Sequence, residues 1–208
     1  MKKRLIIFLS VLVLALSSLS ASGELFLRPG FLVTYETNVF SDPLPRDNEK
    51  GYLQRTGLGG YLDVDYFFSE DGKTALSFSF LYSHPVSSRT RIYGTNQLDE
   101  WVLTEDPSIF FSFGPMFRAQ LGSVDFGVAI RASIGSINLF RDSVNLSLQV
   151  EPFVTVPLGS ENWNLSAGMI YNAHFYDFLL GDTENIYRKD FFLLTLGGYI
   201  GIAYRWSV

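Results

Sequence analysis

The sequence predicts an all-β fold, an eight-stranded antiparallel transmembrane up-and-down β-barrel. Three observations predict it. Bulky apolar residues alternate with small or polar ones, with period two, through eight segments of the 208-residue chain, and none of the apolar positions carries a charge. The connections between the segments alternate between long and short. The closing stretch, GGYIGIAYRWSV, shows the pattern up to the final residue: Ile200, Ile202, Tyr204, Trp206 and Val208 share one face, and Tyr199, Gly201, Ala203, Arg205 and Ser207 share the other.

Residues 1–22 are set apart from that pattern. Lys2, Lys3 and Arg4 precede an apolar run from Leu5 to Leu16 and then small residues, the arrangement of a cleaved secretory signal. The run falls short of the roughly 20 apolar residues a spanning helix needs, and no later stretch reaches that length, so membrane crossing has to be by strands. Residues 23–208 then form one barrel domain. The chain has no cysteine, which excludes both disulfide frameworks and a lipid-bearing cysteine. Without the three signal cations, 13 of the 16 Lys and Arg remain against 21 Asp and Glu, a net charge of minus eight that argues against nucleic-acid partners.

Taken in order, the apolar faces are as follows. The first is Leu25, Leu27, Pro29, Phe31, Val33 and Tyr35. The second is Leu58, Gly60, Leu62, Val64 and Tyr66, and the third, the shortest, is Leu76, Phe78, Phe80 and Tyr82. The fourth is Ile109, Phe111, Phe113, Pro115, Phe117 and Ala119; the fifth is Val124, Phe126, Val128, Ile130, Ala132 and Ile134. The sixth runs on even numbers from Val144 to Val156, the seventh on odd numbers from Trp163 to Phe175, and the eighth on even numbers from Phe192 to Val208. Segments of about nine to eleven residues match a tilted strand crossing a hydrocarbon layer.

Residues 36–55, 83–107, 136–143 and 177–190 read as long connections, carrying most of the charge and the turn-forming Pro, Asn and Asp. The short ones are SEDGK, where Gly72 suits the left-handed position of a three-residue hairpin, and QLGSVD and PLGSEN, each suited to a two-residue turn with glycine first. This rhythm is that of a barrel with long loops outside the cell and short turns in the periplasm, both termini being periplasmic.

A soluble barrel with its apolar face turned inward would show the same alternation. Two features decide against it. The opposite face is glycine, serine and alanine rather than the Lys, Glu and Thr of a water-exposed strand, and no predicted strand contains lysine. The apolar face is also too bulky for the interior of an eight-stranded barrel, which side chains just fill. Tyr66, Phe68, Trp163, Tyr204 and Trp206 gather at the expected periplasmic rim, and Tyr35, Tyr82, Tyr171 and Phe175 at the outer one, as interfacial girdles.

In this pattern the chain resembles the small eight-stranded outer-membrane barrels of the OmpA, OmpX and OmpW type. The resemblance spans residues 24–208 and implies a Gram-negative outer membrane, contact with its lipids and lipopolysaccharide-type glycolipid, and a monomer. Ile200, Ile202, Tyr204, Trp206 and Val208 resemble the terminal signal read by the barrel-assembly machinery, although such signals usually end on Phe or Trp.

The inward face carries Arg28, Arg55, Arg118, Arg131 and Arg205 against Glu36, Asp63, Asp65, Asp125 and Glu151. The antiparallel register that sets Glu36 opposite Arg55 also sets Arg28 opposite Asp63. Arg118 lies within direct or diagonal reach of Asp125, and Arg131 falls against Glu151 if the intervening loop closes around residues 140–142, so a ladder of bidentate ion pairs is expected to fill the lumen, with no wide aqueous pore. His84 and His174 have no companion ligands, so no metal or other cofactor is expected. His84 opens the segment HPVSSRT, ahead of Ser87, Ser88, Asp99 and Glu100, and a resemblance to lipid A-modifying barrels would make these an enzyme site. The deacylase-like His-x-Ser spacing is absent, and no catalytic residue is assigned. The expected role is a non-catalytic scaffold presenting acidic loops to a host or envelope partner. The alternative implied by OmpW-like barrels is a narrow conduit for small or apolar solutes, for which Phe153, Ile170, Leu193 and Tyr199 supply an apolar lumen lining.

Overall fold

A computed structural model describes residues 23–41, 50–68, 72–93, 107–136, 143–160, 162–179 and 192–207. The expected signal at residues 1–22 lies outside these, as do Val208 and most of the loop residues. Eight strands follow one another: β1 (Glu24–Ser41), β2 (Lys50–Phe67), β3 (Thr74–Tyr93), β4 (Ser108–Leu121), β5 (Val124–Ser136), β6 (Ser143–Pro157), β7 (Trp163–Leu179) and β8 (Phe192–Ser207). Each pairs antiparallel with the next, and β1 pairs with β8 from Glu24↔Ser207 to Val39↔Phe192, closing the barrel. Closure satisfies every strand edge, which a hydrocarbon surround demands.

Register fixes the shape. Following partners from Arg28 through Asp63, Ser79, Ser112, Ser133, Ser147, His174 and Leu193 returns to β1 at Asn38, ten residues further along. With ordinary strand spacings, that stagger over eight strands tilts them by about 40° and leaves a radius of about 8 Å, room for side chains and little else.

The faces divide as the alternation requires. Phe111, Ile130 and Trp206 are 50%, 41% and 61% exposed on the outside, whereas Arg28 and Arg131 are fully buried within. At the short-turn end Phe68, Trp163 and Trp206 are exposed, with Trp163 packed edge-on against Tyr204 (ring centroids 4.8 Å apart); Tyr35, Tyr82 and Tyr171 are exposed toward the other end. Tyr66 departs from the expected girdle: it is 7% exposed, its ring lying where a Cβ on Gly23 would come within 2.5 Å. The side chain of Phe175 lies outside the described residues.

The long connections are shorter than the sequence suggests, because the strands outlast the apolar pattern. β1 and β2 pair up to Ser41↔Lys50, and β3 runs to Tyr93 through most of the segment read as a loop from residue 83. Lys50 thereby places a lysine in a strand, at its far end. The β2–β3 register slips between Thr56 and Gly57, leaving Val86 as a bulge beside Pro85, which has no N–H to give a ladder. Beyond the bulge the β2–β3 ladder continues to Lys50↔Tyr93, past the end of the apolar alternation that marked β3 in the sequence.

Gly72, Gly122 and Gly159 all have positive φ, at 62°, 65° and 79°. Leu121↔Val124 encloses the expected two-residue Gly122-Ser123 turn. The other two connections are longer than expected. The β2–β3 ladder stops at Phe67↔Ala75, and the β6–β7 turn is closed by Leu158 N–H donating to the Trp163 carbonyl at 2.8 Å, with the Trp163 N–H donating to Ser160 Oγ at 3.2 Å.

Apart from the register slips, three ladders among the described residues lose partners, each beside a proline on the outer face. The β1–β8 register passes from Leu27↔Tyr204 to Gly30↔Gly201 around Pro29, β4–β5 from Phe113↔Ala132 to Met116↔Ala129 around Pro115, and β6–β7 from Val150↔Tyr171 to Phe153↔Gly168 around Pro152. Proline cannot donate, and a closed barrel offers no edge on which to hide it.

The adjacent glycines of β2 allow a sharp check of the two faces. A Cβ at Gly59 would meet the Tyr82 carbonyl oxygen at 1.8 Å, whereas one at Gly60 meets nothing within 4 Å. Gly59→Ala is expected to abolish the compact, heat-sensitive gel band of the folded barrel, and Gly60→Ala to leave it unchanged.

Candidate functional site

The described inward residues form successive layers along the axis. The middle layer is a knot centred on two guanidiniums. Arg28 donates from Nε to Asp65 Oδ2 at 2.9 Å, from Nη1 to Glu151 Oε1 at 2.9 Å and the Tyr199 hydroxyl at 2.8 Å, and from Nη2 to Asp63 Oδ2. Arg131 donates from Nε to Ser77 Oγ at 2.9 Å, from Nη1 to the Tyr61 hydroxyl at 3.1 Å and Glu151 Oε2, and from Nη2 to Asp63 Oδ2 at 2.8 Å. Tyr61 and Tyr199 in turn donate to the two oxygens of Glu151, and Ser77 donates to Asp65. The rings complete the enclosure: the Arg28 guanidinium lies 3.7 Å from the Phe153 ring centroid, and the Tyr61 and Tyr199 centroids are 4.5 Å apart.

Toward the short-turn end, Arg118 pairs with Glu24 at 2.8 Å and lies 3.9 Å from Asp125, while Arg205 pairs with Asp125 at 2.5 Å and Glu24 at 3.2 Å. Arg118 also reaches across the β2–β3 connection, donating from Nε to the Gly72 carbonyl at 3.0 Å, and its guanidinium stacks 3.9 Å from the Phe67 centroid. Toward the other end, Arg55 Nε lies 3.4 Å from Glu36 Oε2. Between this pair and the knot, the lumen holds the buried apolar side chains of Leu32, Leu81, Phe110 and Ile170 and a polar cluster in which Ser112 donates to Gln149 Oε1 and its Oγ lies 2.9 Å from Ser133 Oγ.

All ten charged residues singled out in the sequence face inward, and Arg28↔Asp63 and Glu36↔Arg55 are strand partners. The contacts are nevertheless shared rather than pairwise. Arg28 and Arg131 hold Asp63 and Glu151 jointly, because a barrel this narrow brings side chains from opposite walls into contact. Arg131 is the ladder partner of Gln149, and Glu151 that of Ala129, so the Arg131–Glu151 pair is diagonal. Sequence reading gave no role to Glu24, Tyr61 or Ser77, and took Tyr199 for apolar lining. Parity alone could have found Glu24, which shares an inward face with Arg28 and Glu36.

His84 is not in a loop. It lies within β3 on the outer face, opposite Leu58, with Ser87 beyond the Val86 bulge; Asp99 and Glu100 and the Ser88 side chain lie outside the described residues. His174 faces the lumen, its Nε2 3.3 Å from Thr195 Oγ1 and its ring 5.1 Å from that of Phe110. Among the described residues, no group of three or more His, Cys, Asp or Glu is arranged to hold a metal ion. Ile200, Ile202 and Trp206 of the expected assembly signal are exposed on the outer face. The side chain of Leu193 lies outside the described residues.

An apolar exterior between aromatic rims, a closed antiparallel ladder and a lumen filled by ion pairs define a small transmembrane β-barrel of the outer-membrane type. Solved structures share this fold at low sequence identity. The outer membrane protein OprG from Pseudomonas aeruginosa is 11% identical with a TM-score of 0.55, the match covering 90% of this chain and 98% of that one. Neisserial surface protein A is 10% identical with a TM-score of 0.55, covering 86% and 96%. The outer membrane protein AlkL, solved in lipid bilayers, is 12% identical with a TM-score of 0.55, covering 90% and 92%. No protein-family model and no curated protein sequence matches the chain.

The knot sets a stability expectation. Arg131→Met would leave three buried carboxylates facing Arg28 alone, and urea unfolding in micelles should show a loss of about 3–5 kcal/mol. Arg205→Met, whose side chain is 25% exposed at the rim, should cost about 1 kcal/mol or less. Adding Glu151→Gln to Arg131→Met should recover part of the larger loss.

Proposed function

We propose that the protein is a non-catalytic scaffold of the outer membrane, monomeric, with both termini in the periplasm and its long loops presented at the cell surface. The observation that carries this reading is the knot. Arg28, Arg131, Asp63, Asp65 and Glu151, all fully buried, span the lumen from β1, β2, β5 and β6, with Tyr199 from β8 closing the side. A solute crossing the barrel would have to break several charge-assisted hydrogen bonds at once. The fold shared with OprG and AlkL, both described as outer membrane proteins, supports the location. The outward row Ile200, Ile202, Tyr204 and Trp206 suits recognition by the barrel-assembly machinery. The acidic residues of the loops, Asp42, Asp47, Glu49, Asp99, Glu100, Glu105 and Asp106 among them, suit a basic partner, or glycolipid bridged by divalent cations.

A second reading is a narrow conduit for small apolar solutes. It draws on Leu32, Leu81, Phe110 and Ile170, fully buried apolar residues of the lumen. Planar-bilayer recording separates the two. The scaffold reading expects no discrete openings from the wild-type protein, while openings altered by Tyr199→Ala would establish the conduit. The lipid A-modifying alternative is tested by mass spectrometry of lipid A from cells expressing wild type or His84→Ala; the profiles are expected to be identical.

A further inference from the structure

The outer wall is not uniformly convex. Over β6, β7, β8 and β1 it carries a groove of about 560 Å³, walled by Pro152 and Val154 on one side and Phe31 and Val33 on the other, with Ala167 and Gly198 in its floor. The groove is shallow and open along the outer wall. The floor is low for a local reason. In the paired rows Ala167↔Ile200 and Met169↔Gly198, the two small residues lie on one diagonal, and a Cβ at Gly198 would meet nothing within 4 Å. The groove also lies where Pro152 interrupts the β6–β7 ladder. The opposite wall is a ridge: Phe111 and Phe113 are 50% and 47% exposed and are braced by Phe80 and Phe78 at ring distances of 5.2 and 4.7 Å.

We propose that this groove seats one acyl chain of a bilayer lipid. It is continuous with the lipid-facing belt and lies between the aromatic rims, so the molecules that reach it laterally are hydrocarbon chains. Between apolar protein and apolar lipid there is no hydrophobic driving force, and contact decides. A chain on the phenylalanine ridge touches protein along one side; a chain in the groove is touched on three. An unfilled groove would also leave Phe31, Pro152 and Ile200 without dispersion partners on their open side. The seated chain therefore exchanges more slowly than those elsewhere around the barrel.

The test is native mass spectrometry of the full barrel released from dioleoylphosphatidylcholine nanodiscs, at a collision energy that strips the annular lipids. Wild type should retain one phospholipid. Gly198→Leu, which fills the groove, should lower the retained fraction by about tenfold, corresponding to about 1.4 kcal/mol. Gly60→Leu, an outward glycine of β2 with equally open space, should retain the lipid as wild type does. The gel shift of the folded form reports that both variants close. Three results overturn the proposal: no retained lipid on the wild type, equal retention by wild type and Gly198→Leu, or a retained fatty acid in place of the added phospholipid. A dimer that Gly198→Leu abolishes would assign the groove to a second copy and overturn it equally.

Discussion

The structure depends on a single constraint: charges placed inside a barrel of about 8 Å radius have no water to fall back on and have to satisfy one another. Two guanidiniums and three carboxylates meet at the centre of this one, joined by two phenols and a serine hydroxyl. Their side chains come from β1, β2, β3, β5, β6 and β8, so strands far apart in sequence are tied through the lumen as well as around the wall. Such a cluster is weak grounds for claiming net stability over a well-packed apolar core. It does fix which strands stand opposite one another, since a register slip of one residue would turn each of these charges into the lipid.

The knot and the proline interruptions coincide. Arg28 precedes Pro29, Glu151 precedes Pro152, and Arg131 lies across from Gly114, next to Pro115. At the three prolines where the wall loses ladder hydrogen bonds, the lumen supplies its densest cross-links. The barrel thus carries its weakest backbone pairing and its strongest side-chain pairing at one level, and the groove on the lipid face opens at one of these places.

This arrangement bears on what the molecule can do. At the level of the knot, side chains from six strands meet across the lumen, and the outer face is apolar. The first three strands, of 18, 18 and 20 residues, rise well past the 14 and 13 of β4 and β5. The paired backbone of β1, β2 and β3 therefore extends further at the long-loop end than that of β4 and β5.

The alternation in residues such as Phe111, Phe113, Ile130 and Ile134 was enough to determine the class of fold, the number of strands and the face each residue occupies, because period two and the absence of charge follow directly from a strand in contact with hydrocarbon. The inward charges and the Arg28–Asp63 register were legible for the same reason. Strand ends were not: β3 continues to Tyr93 because hydrogen bonding to β2 persists after the lipid ends, and apolar alternation reports the lipid alone. Nor could sequence show that Arg28 and Arg131 share Glu151, that Glu24 joins Arg118 to Arg205, or that Tyr66 folds over Gly23. Those contacts cross the lumen or the rim between residues far apart in the chain, and only the curvature and stagger of the closed barrel bring them within reach.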